Sequence, residues 1–222
     1  MTDEKEQELK LHEGSLAFFG AVTASVSHEL NNVISIIDQN AGLLGDLLAG
    51  VQHGRPLSEE QLKRVADKIT MQTGRGVGII KRLNTFAHSA DKPVREFDLN
   101  AVIENLTALT ERLANLKAVK QEVIYPNRPL IMTGNPFLTQ QMVFLIIREL
   151  LDQAVKNDVL RIELYYADGR GVIEISLSGK DLQMPGNLAY LEMLSEVLKA
   201  GLVCGPEKAR NAYEIFLSGA KA

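Results

Sequence analysis

The sequence predicts an α+β protein, a hairpin of two long helices followed by a mixed α/β region. Three observations predict it. Apolar residues recur at a 3-4 spacing from Ser15 to Val51, and again from Leu62 to Ala87. A Gly/Pro turn separates these two stretches. Beyond Pro93 the period changes, and helical segments alternate with short strand-like runs. The 222 residues suffice for one large domain or two small ones.

In the first stretch, Leu16, Thr23, Leu30, Ile37, Leu44 and Val51 can be taken as heptad position a. Phe19, Val26, Val33, Asn40 and Leu47 then fall at d, a coiled-coil-like seam with Asn40 as a register-setting polar layer. Val22, Ile34, Ile36 and Leu48 widen the apolar face, so more than one partner helix is expected. Gln52-His53-Gly54-Arg55-Pro56-Leu57 reads as a turn, and Ser58 with Gln61 as a capping box. The second helix follows through Leu62, Val65, Ile69, Gly76, Ile80, Leu83 and Ala87. One hairpin cannot cover both wide faces, and a symmetric homodimer forming a four-helix bundle is the simplest solution.

Asp91-Lys92-Pro93 breaks the pattern and separates a first domain, residues 14–90, from a second, residues 97–222. In the second, Leu99–Leu116 reads as a helix. Glu122–Tyr125 and Pro129–Met132 read as short strands. Pro136–Val155 is an apolar helix with proline suited to its first turn. Val159–Tyr166 and Val172–Leu177 alternate around Asp168-Gly169-Arg170-Gly171, a hairpin signal. Leu188–Lys199 is a helix that Gly201 can end. Tyr213–Leu217 is a last strand.

Composition excludes several functions. The chain is 45% hydrophobic and 23% charged with net charge -4, and no basic stripe stands out, which argues against nucleic acid. No apolar run reaches the roughly 18 residues of a membrane span, and the polar start MTDEKEQELKLHE does not read as a signal peptide. The single cysteine, Cys204, forms no internal disulfide or zinc finger, so it reads as structural and the expected location is cytoplasmic. His12, His53 and His88 are scattered and receive no role. Gly74-Arg75-Gly76-Val77-Gly78 follows no strand and lacks the dinucleotide spacing. It reads as a flexible or closely packed stretch of helix.

The chemistry concentrates in Ser27-His28-Glu29-Leu30-Asn31-Asn32. His28 falls at heptad position f, farthest from the seam. Imidazole is a nucleophile near neutral pH, with an unperturbed pKa of about 6.5. A carboxylate can polarise it, and an amide one turn on can orient water or a phosphoryl oxygen. Glu29 also suits a solvated charge making an interhelical pair.

Ala24-Ser25-Val26-Ser27-His28-Glu29-Leu30-Asn31-Asn32 resembles the H-box, the phospho-acceptor motif of the bacterial histidine kinase family. Val33 stands where the family usually has proline, which removes a helix kink and leaves the acceptor chemistry intact. Ile79–Phe86 resembles the end of the family's dimerisation hairpin, and Phe97-Asp98-Leu99-Asn100 the lead into its ATP-binding domain. The resemblance implies an α/β-sandwich of the histidine kinase ATPase type for the second domain. The nucleotide motifs depart from the family. Gly134-Asn135-Pro136 resembles the approach to the asparagine box, yet the magnesium-holding Asn becomes Glu149, or Gln153 in a register shifted by one turn. Ser178-Gly179-Lys180-Asp181 stands where the family has Asp-x-Gly-x-Gly. Only Leu182–Asn187 then precedes the next helix, with no nucleotide lid.

The resemblance therefore implies a degenerate domain with little to hold ATP, similar to histidine-kinase-like phosphorelay phosphotransferases. His28 would exchange a phosphoryl group with the aspartate of a response regulator receiver domain. Glu29 would hold the second imidazole nitrogen, and Asn32 would position water. Magnesium would come from the receiver, so no cofactor or metal of the protein's own is expected. An upstream hybrid kinase is a further implied partner. Two rival readings stay open. One is an ATP-dependent kinase with magnesium on Glu149, Asp152 or Gln153 and Ser178-Gly179 at the adenine. The other is a non-catalytic dimeric module that binds a receiver or a kinase.

Overall fold

A computed structural model describes residues 3–179, 182–204 and 212–219, with side chains from residue 5 onward. Lys180 and Asp181, and Gly205-Pro206, which the sequence reads as a turn near Cys204, lie outside the described residues. In chain order the elements are α1 (Asp3–Gln52), α2 (Glu59–Ala87), a 3-10 turn (His88–Ala90), β1 (Arg95–Asp98), α3 (Leu99–Leu116), β2 (Lys120–Ile124), β3 (Ile131–Gly134), α4 (Pro136–Gln153), β4 (Val159–Ala167), β5 (Arg170–Leu177), α5 (Leu188–Leu198), β6 (Gly201–Val203) and β7 (Ala212–Leu217). The α+β class read from the sequence is the class observed. By internal contacts the chain forms two units, Thr23–Asn84 and the combination of Met1–Val22 with Thr85–Ala222.

The first unit is the helical hairpin. Position d carries its packing: Val26, Val33 and Asn40 are buried, whereas Leu30, Ile37 and Leu44 at position a are only half-buried. Asn40 keeps its amide satisfied by donating from Nδ2 to the Ile36 carbonyl at 2.7 Å. Gly76 explains part of the glycine-rich stretch. A Cβ there would lie 3.3 Å from Val33 Cγ1, so the missing side chain lets the helices approach closely. Gly74 and Gly78 face open space. At the turn, Ser58 and Gln61 form the expected reciprocal box, Ser58 N donating to Gln61 Oε1 at 3.1 Å and Gln61 N to Ser58 Oγ at 3.2 Å.

The second unit is built on a five-stranded sheet of order β2-β4-β5-β7-β6, with β2 parallel to β4 and the remaining pairs antiparallel. β1 and β3 form a separate antiparallel pair. Helices α3, α4 and α5 pack side by side, and α4 rests on β4 and β5. Period-2 alternation supplies the inner face: Leu160 opposite Leu177, Ile162 beside Ile175 and Tyr213, and Leu164 beside Ile173 and Ile215. On the other face Glu163, Glu174 and Glu214 sit directly opposite one another.

Three sequence expectations need correction. α1 begins at Asp3, well before Ser15. The (i, i+4) pair Glu6–Lys10, 2.8 Å apart, lies in this polar first part. β1 and β6, of four and three residues, went unread because such short strands show almost no period. Gly201 does not end α5. Lys199 does so, at φ 51° with Ala200 N bonded to the Ser195 carbonyl at 2.8 Å, while Gly201 opens β6 tight against Phe216.

The boundary read at residue 90 also differs from the contacts. Phe18 of α1 is 2% exposed, its ring 5.3 Å from Phe86 and Phe137 and 5.0 Å from Phe144. Ser15 Oγ donates to Gln141 Oε1 at 3.1 Å, and Gln141 Nε2 donates to the Tyr190 hydroxyl at 2.8 Å. A Cβ on Gly14 would overlap that hydroxyl. An aromatic cluster and a polar relay thus make the start of α1 part of the C-terminal unit.

Candidate functional site

α1 runs unbroken through Val33, where a proline would have removed a backbone donor. Continuous helix keeps His28 and Asn32 one turn apart on one side, and both are exposed, as are Ser27 and Asn31. Glu29 takes a different course. Its side chain is only 20% exposed, and its Oε1 accepts from Arg75 Nη2 of α2 at 2.8 Å. The structure therefore joins Glu29 to α2 rather than to the neighbouring imidazole, which fits its lying 100° around the helix from His28. This is the interhelical pair that the heptad pattern allowed. The pairing with Arg75 was not legible, because nothing local in Gly74-Arg75-Gly76 says which residue of another helix it meets.

The region of the C-terminal unit corresponding to the altered nucleotide motifs is occupied by its own hydrogen bonds. Asn135 acts as the N-cap of α4, its Oδ1 accepting from Leu138 N at 3.0 Å. Along α4, Gln153 Nε2 lies 3.5 Å from Glu149 Oε1, and Gln153 Oε1 accepts from Gln183 N at 3.2 Å. The Tyr213 hydroxyl donates to the Gln183 carbonyl at 2.7 Å. Gln183 is thus held through both backbone polar groups, by α4 on one side and β7 on the other. Burial pushes the Tyr213 phenol up to about 12. Ser178 closes the end of β5, its Oγ accepting from Val159 N at 2.8 Å. Asp152 pairs with Lys117 at 3.3 Å on the surface. Among the described residues no group of three or more His, Cys, Asp or Glu is arranged to hold a metal ion. No helix among them is long and apolar enough to cross a membrane.

No family model matches the chain, and no curated protein does. Solved structures do. Histidine kinase AdeS of Acinetobacter baumannii is 16% identical, with 86% of this chain and 98% of that one covered at a TM-score of 0.49. A nucleotide-free catalytic domain of histidine kinase ThkA is 13% identical over 59% of this chain and 97% of its own, at 0.48. ThkA in complex with response regulator protein TrrA is 17% identical over 99% of this chain and 66% of its own, at 0.48. These solved structures are of histidine kinases, and the likeness is one of fold.

Proposed function

We propose that the protein is a two-component signalling protein that carries a phosphoryl group on His28 and exchanges it with the aspartyl phosphate of a response regulator receiver domain. The observation that carries this reading is an exposed imidazole within a segment that resembles the H-box, with Asn32 exposed one turn on. The neutral ring attacks phosphorus with a nitrogen lone pair. The bond from phosphorus to the aspartyl oxygen breaks, and its electrons return to the carboxylate. The proton on the other ring nitrogen leaves to solvent. Asn32 orients water when the receiver's phosphate is hydrolysed instead. Magnesium belongs to the receiver.

On this reading the C-terminal unit holds no ATP. What supports it is the departure from the family's nucleotide motifs, Ser178-Gly179-Lys180-Asp181 in place of Asp-x-Gly-x-Gly and only Leu182–Asn187 before the next helix. The Gln153 carboxamide oxygen already accepts from Gln183, and Tyr213 holds the other side of that residue. The hairpin also leaves Ile34, Leu48, Met71 and Ile80 about half exposed or more. A second copy covers them in a four-helix bundle, since a strip of this kind on both helices is unstable in water.

The test is to mix the protein with a panel of receiver domains charged by acetyl phosphate and magnesium, without ATP. Acid-labile, base-stable phosphate should appear on the wild type and be absent from His28→Ala. Transfer to the alanine variant, or label on the wild type from ATP alone, overturns the proposal.

A further inference from the structure

We infer that Arg75 is the cation that meets the phosphoryl group at His28, and that Glu29 is the positioning residue that holds it there; the inference rests on the reading of His28 as the acceptor. The argument starts from charge. From Leu11 to Gln52, α1 contains no Lys or Arg, whereas Glu13, Glu29, Asp38 and Asp46 make the stretch anionic. A phosphoryl group arriving on this surface carries about two negative charges. Transfer distributes charge over its three equatorial oxygens, and such transition states are stabilised almost entirely by position and by cations. This stretch of the acceptor helix supplies none, so the cation comes from outside it.

The structure brings one to the H-box. Arg75 lies 46 residues further along the chain, yet its Nη2 stands 2.8 Å from the carboxylate of the residue following His28. A guanidinium carries five N–H donors in a planar fork suited to phosphate oxygens, and Glu29 Oε1 takes one. The Arg75 side chain remains 52% exposed, so the rest of the fork is open to an incoming group. Gly76 next to it lets α2 approach Val33 of α1 closely. To meet the phosphoryl group the guanidinium turns on its long, flexible stem from Glu29 toward His28, the preceding residue of α1.

In the step itself the His28 lone pair forms the P–N bond while the donor's bond to phosphorus breaks and takes its electrons. Arg75 forms N–H bonds to the equatorial oxygens as this happens, and afterwards screens the phosphohistidine from Glu29.

Phosphoramidate, a small donor that loses ammonia on transfer, tests this independently of any receiver. The full chain and its Arg75→Ala, Arg75→Lys and Glu29→Gln variants are loaded with it, and phosphohistidine is followed by 31P NMR. Arg75→Ala should load more slowly by about tenfold to a hundredfold, less than the 10²–10³ of a buried donor because the site is half exposed. Arg75→Lys should recover part of the rate, and free guanidinium should rescue Arg75→Ala, which a purely structural role would not allow. Glu29→Gln should shift the rate in the same direction by a smaller factor. An unchanged thermal midpoint shows that the hairpin is intact. Equal loading of the wild type and Arg75→Ala overturns the role of Arg75 and leaves His28 as acceptor. A wild type that takes no phosphate on His28 removes both.

Discussion

Helices α1 and α4 treat their polar side chains in opposite ways. On α1, His28, Asn31 and Asn32 are exposed, and the neighbouring Glu29 pairs across to a half-exposed arginine. On α4, Glu149 and Gln153 belong to a chain of contacts that ends on Gln183 and the fully buried Tyr213. The lesson is physical. Exposed polar residues keep their water and contribute little to stability, whereas half-buried ones such as Glu149 and Gln153 give up part of theirs and take partners within the protein.

Stability measurements sharpen this contrast. Tyr213→Ala should cost the most, about 3–5 kcal/mol in urea unfolding, as for other large aromatic side chains removed from a core. A loss under 1 kcal/mol would mean that β7 and Gln183 do not depend on each other. Tyr213→Phe keeps the ring and removes the hydroxyl, leaving the Gln183 carbonyl without its donor, so about 1 kcal/mol should go. The pH dependence carries a sign. The phenol is pushed from 10.0 to about 12 in the fold, so the unfolded chain ionises first. The stabilising contribution is complete below pH 10 and is lost as pH rises toward 12. That alkaline decline should be weaker in Tyr213→Phe, and identical pH profiles for the two proteins would break the assignment. At the small end, His28→Ala and Asn32→Ala should each stay within about 0.5 kcal/mol of the wild type, as exposed positions do. A larger loss at His28 would show a ring engaged in packing rather than held for chemistry.

Much of the fold was legible because it is written locally. The limits of α3 follow from its apolar spacing and from Asp98, whose Oδ1 caps Asn100 N at 3.0 Å. Asp168 and Gly169, at φ 50° and 76°, make the turn that their sequence announces. The H-box needed only its order and the helical period. Illegible were the features made by residues far apart. Phe18 and Tyr190 gave no hint that the start of α1 packs with α4 and α5, because its apolar residues satisfy either a hairpin or a domain surface. Nothing local told that Gln153 Oε1 accepts from Gln183 N, thirty residues further along the chain.

The sequence by itself determined the helical hairpin, the mixed region after it and an exposed histidine with an amide one turn away, since each depends on spacing along one element. Tertiary structure decided that Glu29 belongs to Arg75, that Gln153 and Tyr213 grip Gln183, and that the first turns of α1 join the C-terminal unit. Those pairings depend on how helices and strands are set side by side, and that is fixed by packing across the whole unit rather than by any stretch of neighbouring residues.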